Sequence, residues 1–179
     1  MAKKDELIDM SIPVPSGTYV VYVEKVESAR TKVKTDHKTG AQKGNDPMAV
    51  FSLQVLAPDV VETPAGPAQA AGRKLTWYLA FTPRNATPVK QAELLLGREL
   101  PNEYDEVADI IDPLAQLKGT VFEAELVSEP YYKTDTGKWD GNIIKGEDGQ
   151  PIVAGYRLQF KAPKSALQPL PAGMNVQPF

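Results

Sequence analysis

The sequence has no cysteine and a single histidine among its 179 residues. Without cysteine the chain can form no disulfide, no thiolate nucleophile and no cysteine-ligated zinc site, and it fits a reducing cytosol. His37 stands among lysines with no second histidine near it, so a metal site or a histidine-based catalytic group is not expected. We therefore predict no cofactor, no bound metal, no catalytic residue and no enzymatic activity.

Long apolar runs are also missing. No segment approaches the roughly 20 apolar residues that span a bilayer, and the charged first nine residues do not resemble a signal peptide. These absences predict a cytoplasmic protein with no membrane partner. The net charge is −3, which gives no general attraction to nucleic acid. Any such binding must therefore depend on a local basic patch.

Five segments alternate between apolar and polar residues with a period of two, which is typical of half-buried strands. They are Gly17–Ser28, Met48–Leu56, Gly72–Thr82, Gly119–Glu129 and Ile152–Lys161. A helix is predicted over Thr87–Gly97, because Thr87 can cap it, Pro88 suits its first position and Gly97 can end it. This order, with one helix between strands three and four, predicts a mainly β protein with an OB-fold-like, five-stranded Greek-key barrel.

The remaining segments divide the chain into three parts. Residues 1–16 are predicted as a polar N-terminal arm, 17–162 as the OB-fold domain, and 163–179 as a flexible, proline-rich C-terminal tail. Residues 57–72 are predicted as a low-complexity loop and 130–151 as a long loop or hairpin. Helical spacing within residues 99–113 predicts a second short helix that ends at Pro113.

The loop between the first two predicted strands concentrates positive charge. Residues 29–47 contain five basic and two acidic residues, a net charge of +3 in a chain of net −3. The basic residues are Arg30, Lys32, Lys34, Lys38 and Lys43. Such side chains replace counterions condensed on phosphates, which gives sequence-independent affinity. The alternative is a solvated loop without a ligand.

The loop between the last two predicted strands carries candidates for base stacking. Three aromatic residues and two lysines occur there with no evident core to join: Tyr131, Tyr132, Lys133, Lys138 and Trp139. Bases of a single strand stack on such rings, at about 1–3 kcal/mol per base. The alternative is that Tyr131 and Trp139 pair across a hairpin and cover the mouth of the barrel.

The third predicted strand lies between these loops in the fold. Its outward face carries Lys74 and Tyr78, whereas Trp77 has the opposite parity and is predicted to lie in the core. The face formed by strands two and three binds oligonucleotides in OB-folds, so Lys74 and Tyr78 are predicted to bind nucleic acid. Tyr22 and Arg157 are weaker candidates, because the helix or the tail could cover their faces.

Several segments together resemble the single-stranded DNA-binding proteins of bacteriophages. These are the opening Pro-x-Gly-Thr-Tyr-Val-Val strand, the basic loop, and the strands Val-Phe-Ser-Leu-Gln-Val and Leu-Lys-Gly-Thr-Val-Phe-Glu-Ala-Glu-Leu, within residues 12–162. The resemblance implies binding and protection of single strands during phage DNA replication, recombination or repair, with the host cytoplasm as the location if the protein is phage-encoded. Pro178-Phe179 is similar to the tip by which bacterial single-stranded DNA-binding proteins recruit replication partners, although Met174–Gln177 replace the usual acidic run.

Two functions from different classes stay open at this point. The first is a non-enzymatic binder of single-stranded DNA, with RNA as the other candidate ligand and replication or recombination proteins as partners of the tail. The second is an OB-fold module that holds a protein partner and binds no nucleic acid, since a fold alone does not determine function. Homo-oligomer formation is compatible with both.

Overall fold

The computed structural model describes residues 7–176, so the Pro178-Phe179 tip lies outside the described part of the chain. The strands in chain order are β1 (Gly17–Arg30), β2 (Lys34–Thr35), β3 (Gln42–Lys43), β4 (Pro47–Ala57), β5 (Val60–Thr63), β6 (Gly66–Gln69), β7 (Lys74–Ala80), β8 (Thr120–Tyr132), β9 (Val153–Pro163) and β10 (Gln168–Pro169). The helical segments are α1 (Ala86–Leu96), a π-helical turn (Glu106–Ile111) and α2 (Asp112–Ala115), all between β7 and β8.

Five long strands form a nearly closed antiparallel barrel. Their order is β9-β8-β1-β4-β7, and every neighbouring pair is antiparallel. The two terminal strands of this sheet, β7 and β9, approach each other through Trp77, whose ring stacks on Phe160 at a centroid distance of 4.2 Å. The prediction of a mainly β, five-stranded barrel is confirmed, with each predicted strand overlapping one of these five.

Alternation along the strands builds the core. In β4 the residues of one parity, Ala49, Phe51, Leu53 and Val55, are at most 1 % exposed, and their partners on β7 include Trp77 at 8 %. Trp77 also lies 4.7 Å from Phe51 between ring centroids, so its predicted core position is confirmed. Pleated strands place alternate side chains on opposite faces, so the inward parity of β7 requires that Tyr78 point outward.

The barrel has two distinct ends, which the strand register defines. At one end Arg30 pairs with Pro47, and the β1–β4 connection continues outward from there. At the opposite end Gly17 pairs with Leu126, and β8 runs past this point to Tyr132 before the chain returns in β9. The two loops that were singled out in the sequence therefore project from opposite ends of the sheet.

Helix α1 begins one residue earlier than predicted, and its N-cap lies two residues earlier. Asn85, not Thr87, is the N-cap, and its side chain accepts a hydrogen bond from the Thr87 backbone N–H at 3.1 Å. Pro88 therefore lies third in the helix. Its missing N–H costs no hydrogen bond there, because the N–H groups of the first turn have no intrahelical acceptor. Gly97 ends the helix as predicted, with φ 68°, a left-handed conformation that glycine adopts without steric cost.

The second predicted helix differs from the expectation in type and extent. A π-helical turn starts after Asp105, whose carboxylate accepts hydrogen bonds from the backbone of Val107 and Ala108. It runs into α2, so Pro113 lies inside the helical stretch and does not end it. Proline is tolerated there because it occupies the first turn of α2. The buried residues of this stretch are Ile110, Ile111 and Leu114.

Two segments that were predicted to lack structure pair as strands. Residues 57–72 contain the β5–β6 hairpin, in which Val61 pairs with Ala68, a fully buried residue. In the predicted flexible tail, β10 pairs with the edge of β8, and the Leu167 N–H donates to the carbonyl of Leu95 at 3.0 Å. The prediction of flexibility is therefore not confirmed for residues 164–169, which lie against the barrel. No helix within residues 7–176 has the length and apolar character needed to cross a membrane.

Candidate nucleic-acid interface

The predicted basic loop is a hairpin that prolongs β1 and β4. We call residues 31–46 the basic hairpin. Thr31 and Asp46 exchange hydrogen bonds at its base, and Lys34 pairs with Lys43 in the β2–β3 ladder. The Asp36 carboxylate accepts the Lys38 backbone N–H at 2.8 Å, which lowers the pKa of that carboxyl. The hairpin is therefore a hydrogen-bonded scaffold that carries cations.

The lysines of the basic hairpin make no ion pair with any other described residue. Lys34 and Lys43 lie directly opposite each other, an arrangement in which like charges destabilise a strand pair. Among the ion pairs between described residues, none includes a lysine of this hairpin: Lys32, Lys34, Lys38 and Lys43. Arg30, just before the hairpin, donates to the Asn45 carbonyl at 2.9 Å. An anion placed between the lysine pair would remove the repulsion, which is what a phosphate can do.

The β8–β9 connection forms an arm that extends beyond the barrel. We call residues 130–156 the aromatic arm. Strand pairing continues to Tyr132 and Val153, and isolated bridges join Thr134 to Ile143 and Lys145 to Pro151. A groove of about 520 Å³ on this arm is lined by all five residues predicted from the loop, Tyr131, Tyr132, Lys133, Lys138 and Trp139. The fold therefore brings these residues together in one concave surface.

The tip of the aromatic arm presents Trp139 to solvent. The indole is 91 % exposed, and it sits in a turn closed by Thr134, whose hydroxyl donates to the Lys138 carbonyl at 2.6 Å. Asp135 fixes the far side of the turn by accepting two hydrogen bonds from Asn142. A side chain with this exposure covers nothing, so the geometry disfavours the alternative in which Trp139 pairs with Tyr131 over the barrel mouth.

Tyr131 lies at the root of the arm against the neighbouring strand. Its cross-strand partner is Gly155, and a Cβ added to Gly155 would stand 2.6 Å from the Tyr131 hydroxyl oxygen and 2.8 Å from Cζ. Glycine at this position thus lets the ring lie close over β9. The Arg157 guanidinium carbon is 5.3 Å from the centroid of the same ring, within the range of a cation–π contact.

The outward face of β4 and β7 lies between the two loops. Tyr78 is 63 % exposed there, opposite Val50, and Thr76 faces Ser52 in the next row. Lys74, at the arm end of β7, donates to the Glu24 carboxylate at 2.6 Å. This ion pair neutralises much of the charge that Lys74 could offer, so Tyr78 is the stronger of the two predicted residues on this face.

The predicted residues thus occupy three places along the sheet rather than one pocket. The basic hairpin leaves from the end where Met48 pairs with Ala80, and the aromatic arm leaves from the opposite end, beyond the Gln54–Lys74 pair. Tyr78 lies four positions along β7 from Lys74, or about 13 Å at 3.3 Å per residue. An extended ligand could cross the exposed face of β7 and touch both loops, whereas a compact ligand could not.

Arg157, one of the weaker candidates from the sequence, is exposed in the structure. This residue lines the groove of the aromatic arm, the groove of about 490 Å³ between β7 and β9, and a cavity of about 320 Å³ beneath residues 10–14. The alternation of the fifth predicted strand already placed Arg157 on its polar face, and this signal favours Arg157 as a surface residue.

Comparison with family models, curated proteins and solved structures gives no match for this chain.

Proposed function

We propose that this protein is an OB-fold protein that binds single-stranded DNA without sequence preference and takes no catalytic part. The strand order, the helical connection between β7 and β8, and the placement of the two projecting loops support the OB-fold assignment. Its role in this proposal is to coat and protect single strands during replication, recombination or repair. The resemblance to bacteriophage single-stranded DNA-binding proteins supports a phage context.

One observation carries the proposal: an exposed aromatic groove lies at one end of an outward β face, and a basic hairpin whose lysines make no ion pair with described residues lies at the other. Single strands expose phosphates and base faces together, so they need a cationic track with aromatic platforms along it. Trp139 at 91 % exposure and Tyr78 at 63 % supply platforms that a folded protein would otherwise bury. A duplex hides its base faces in the stack and could not use them.

The decisive experiment is a fluorescence titration of the full chain with oligo(dT) at several salt concentrations. We expect binding whose observed constant falls with salt, with a log–log slope of about −0.7 for each phosphate contacted. Oligo(U) in the same assay distinguishes DNA from RNA preference. A duplex of equal length is the control and should bind more weakly. No saturable binding to any single strand at low salt would refute the proposal.

A protein-interaction module is the second candidate, and one observation favours it. Ile143 and Ile144 are 51 % and 40 % exposed on the aromatic arm, where they add apolar surface that a protein partner could cover. Nucleic acid gains little from aliphatic side chains of this kind. If the oligo(dT) titration shows no binding, the aromatic arm becomes the first surface to test against protein partners, beginning with a second copy of this chain by sedimentation.

A further inference from the structure

We propose that Arg157 is a phosphate-binding residue that joins the aromatic arm to the β7 face, held in place by the ring of Tyr131. This inference rests on the proposed function, and it assigns a ligand group, a backbone phosphate of the single strand, to a specific side chain.

The first argument is the position of Arg157 among the grooves. Its side chain is exposed and lines the arm groove together with Trp139, and it also lines the groove between β7 and β9 together with Thr76 and Tyr78. The two sets of stacking residues therefore meet at one cation. A single strand that lies on both sets has to pass this side chain, with its phosphates between the stacked bases.

The second argument concerns the free donors of the guanidinium. Within residues 7–176, the guanidinium of Arg157 makes no hydrogen bond or ion pair, and it lies 5.3 Å from the centroid of the Tyr131 ring. The neighbouring cations already have partners: Lys74 forms an ion pair with Glu24 at 2.6 Å, and Arg73 donates to the carbonyl of Gln69 at 3.1 Å. Arginine presents five N–H donors in a planar fork, which suits a phosphate while one face remains on an aromatic ring.

The third argument is that the ring of Tyr131 lies close against β9. Tyr131 lies against Gly155 so closely that a methyl group on Gly155 would overlap its phenol. Gly155 has no positive φ, so alanine is compatible with its backbone, and the main consequence of Gly155→Ala is displacement of the ring. The ring orders Arg157 before the ligand arrives, which reduces the entropy that binding must remove.

The test measures oligo(dT) affinity and its salt dependence by fluorescence anisotropy, with folding checked by circular dichroism and urea denaturation. Arg157→Ala should weaken binding about tenfold or more, as expected for loss of a charged hydrogen bond, and reduce the slope by about 0.7. Arg157→Lys should keep the slope but not restore the affinity, since lysine lacks the planar fork. Gly155→Ala should weaken binding although it alters no charge.

Lys161→Ala is the matched control, because it removes one positive charge four residues along β9 from a side chain already paired with Glu125 at 3.3 Å. It should leave affinity and slope near wild type. If Arg157→Ala behaves like Lys161→Ala while wild type binds oligo(dT), the inference is overturned and the proposed function stands. Wild-type affinity in Arg157→Lys would overturn the role of the ring. Absence of binding by wild type would overturn both proposals.

Discussion

Replacement of Trp139 by alanine should weaken oligo(dT) binding and leave the stability of the fold nearly unchanged. Because the indole is 91 % exposed, its removal leaves no cavity and exposes no new apolar surface. The free energy of unfolding should therefore change by about 0.5 kcal/mol or less, as for surface substitutions in general. A lost stacking platform should weaken oligo(dT) binding by about 1–3 kcal/mol, which is about 5- to 150-fold in Kd.

The same change should leave the salt slope untouched. Stacking involves no counterion release, so log Kd should shift by a constant amount at every salt concentration. The assay is anisotropy of a labelled oligo(dT), because the variant lacks the reporting indole. In wild type, tryptophan emission should change on binding chiefly through Trp139, since Trp77 is 8 % exposed.

Trp77→Ala, unlike Trp139→Ala, should strongly destabilise the fold. Its ring stacks on Phe160 at 4.2 Å and lies 4.7 Å from Phe51, so truncation opens a cavity at the closure of the barrel. We expect a loss of about 3–5 kcal/mol in unfolding free energy, measured by urea denaturation. If Trp139→Ala unfolded the protein, or left the Kd for oligo(dT) unchanged, the assignment of Trp139 as a stacking platform would be wrong.

Three further outcomes follow from the charges. Replacement of Lys32, Lys34 and Lys38 together by alanine should make the log–log salt slope shallower by about 2, because each phosphate contact contributes about 0.7. Lys43→Glu should stabilise the hairpin by pairing with Lys34, yet weaken oligo(dT) binding, as urea denaturation and anisotropy can show. The Glu125 carboxyl has its pKa lowered by hydrogen bonds from Lys164 and Lys161, so its stabilisation is present above its unfolded pKa and disappears as pH falls through the folded pKa. Glu125→Gln should therefore reduce the loss of stability between neutral and acidic pH.

Controls for these three variants come from the same chain. Lys90 is exposed on α1, outside the basic hairpin and the aromatic arm, and Lys90→Ala should leave the salt slope unchanged. Lys43→Gln removes the repulsion without creating a pair, so it should give a smaller gain in stability than Lys43→Glu. Equal acid sensitivity of wild type and Glu125→Gln would show that the contacts of Glu125 with Lys161 and Lys164 do not contribute. An unchanged slope in the triple variant would make the basic hairpin a solvated loop.

The sequence alone determined where the five strands lie and which side of β7 faces the core. Alternation has a fixed period of two, so the burial of Trp77 and the exposure of Tyr78 follow from neighbouring positions in one strand. It also identified the basic and aromatic loops, because charge and aromatic content are properties of local composition. The N-cap was missed by two residues because Asn85 and Thr87 can both cap, and the choice depends on which backbone N–H groups are left unpaired.

The tertiary structure determined which residues from distant parts of the sequence lie close together. Register places the basic hairpin and the aromatic arm at opposite ends of the sheet, and this depends on pairings between β1 and β8 that are about 100 residues apart in sequence. The ion pair that occupies Lys74 joins it to Glu24, 50 residues earlier. Arg157 gains its position over Tyr131 because Gly155 leaves room on the adjacent strand. Contacts of this kind arise when the barrel closes, since only then do distant residues share one surface.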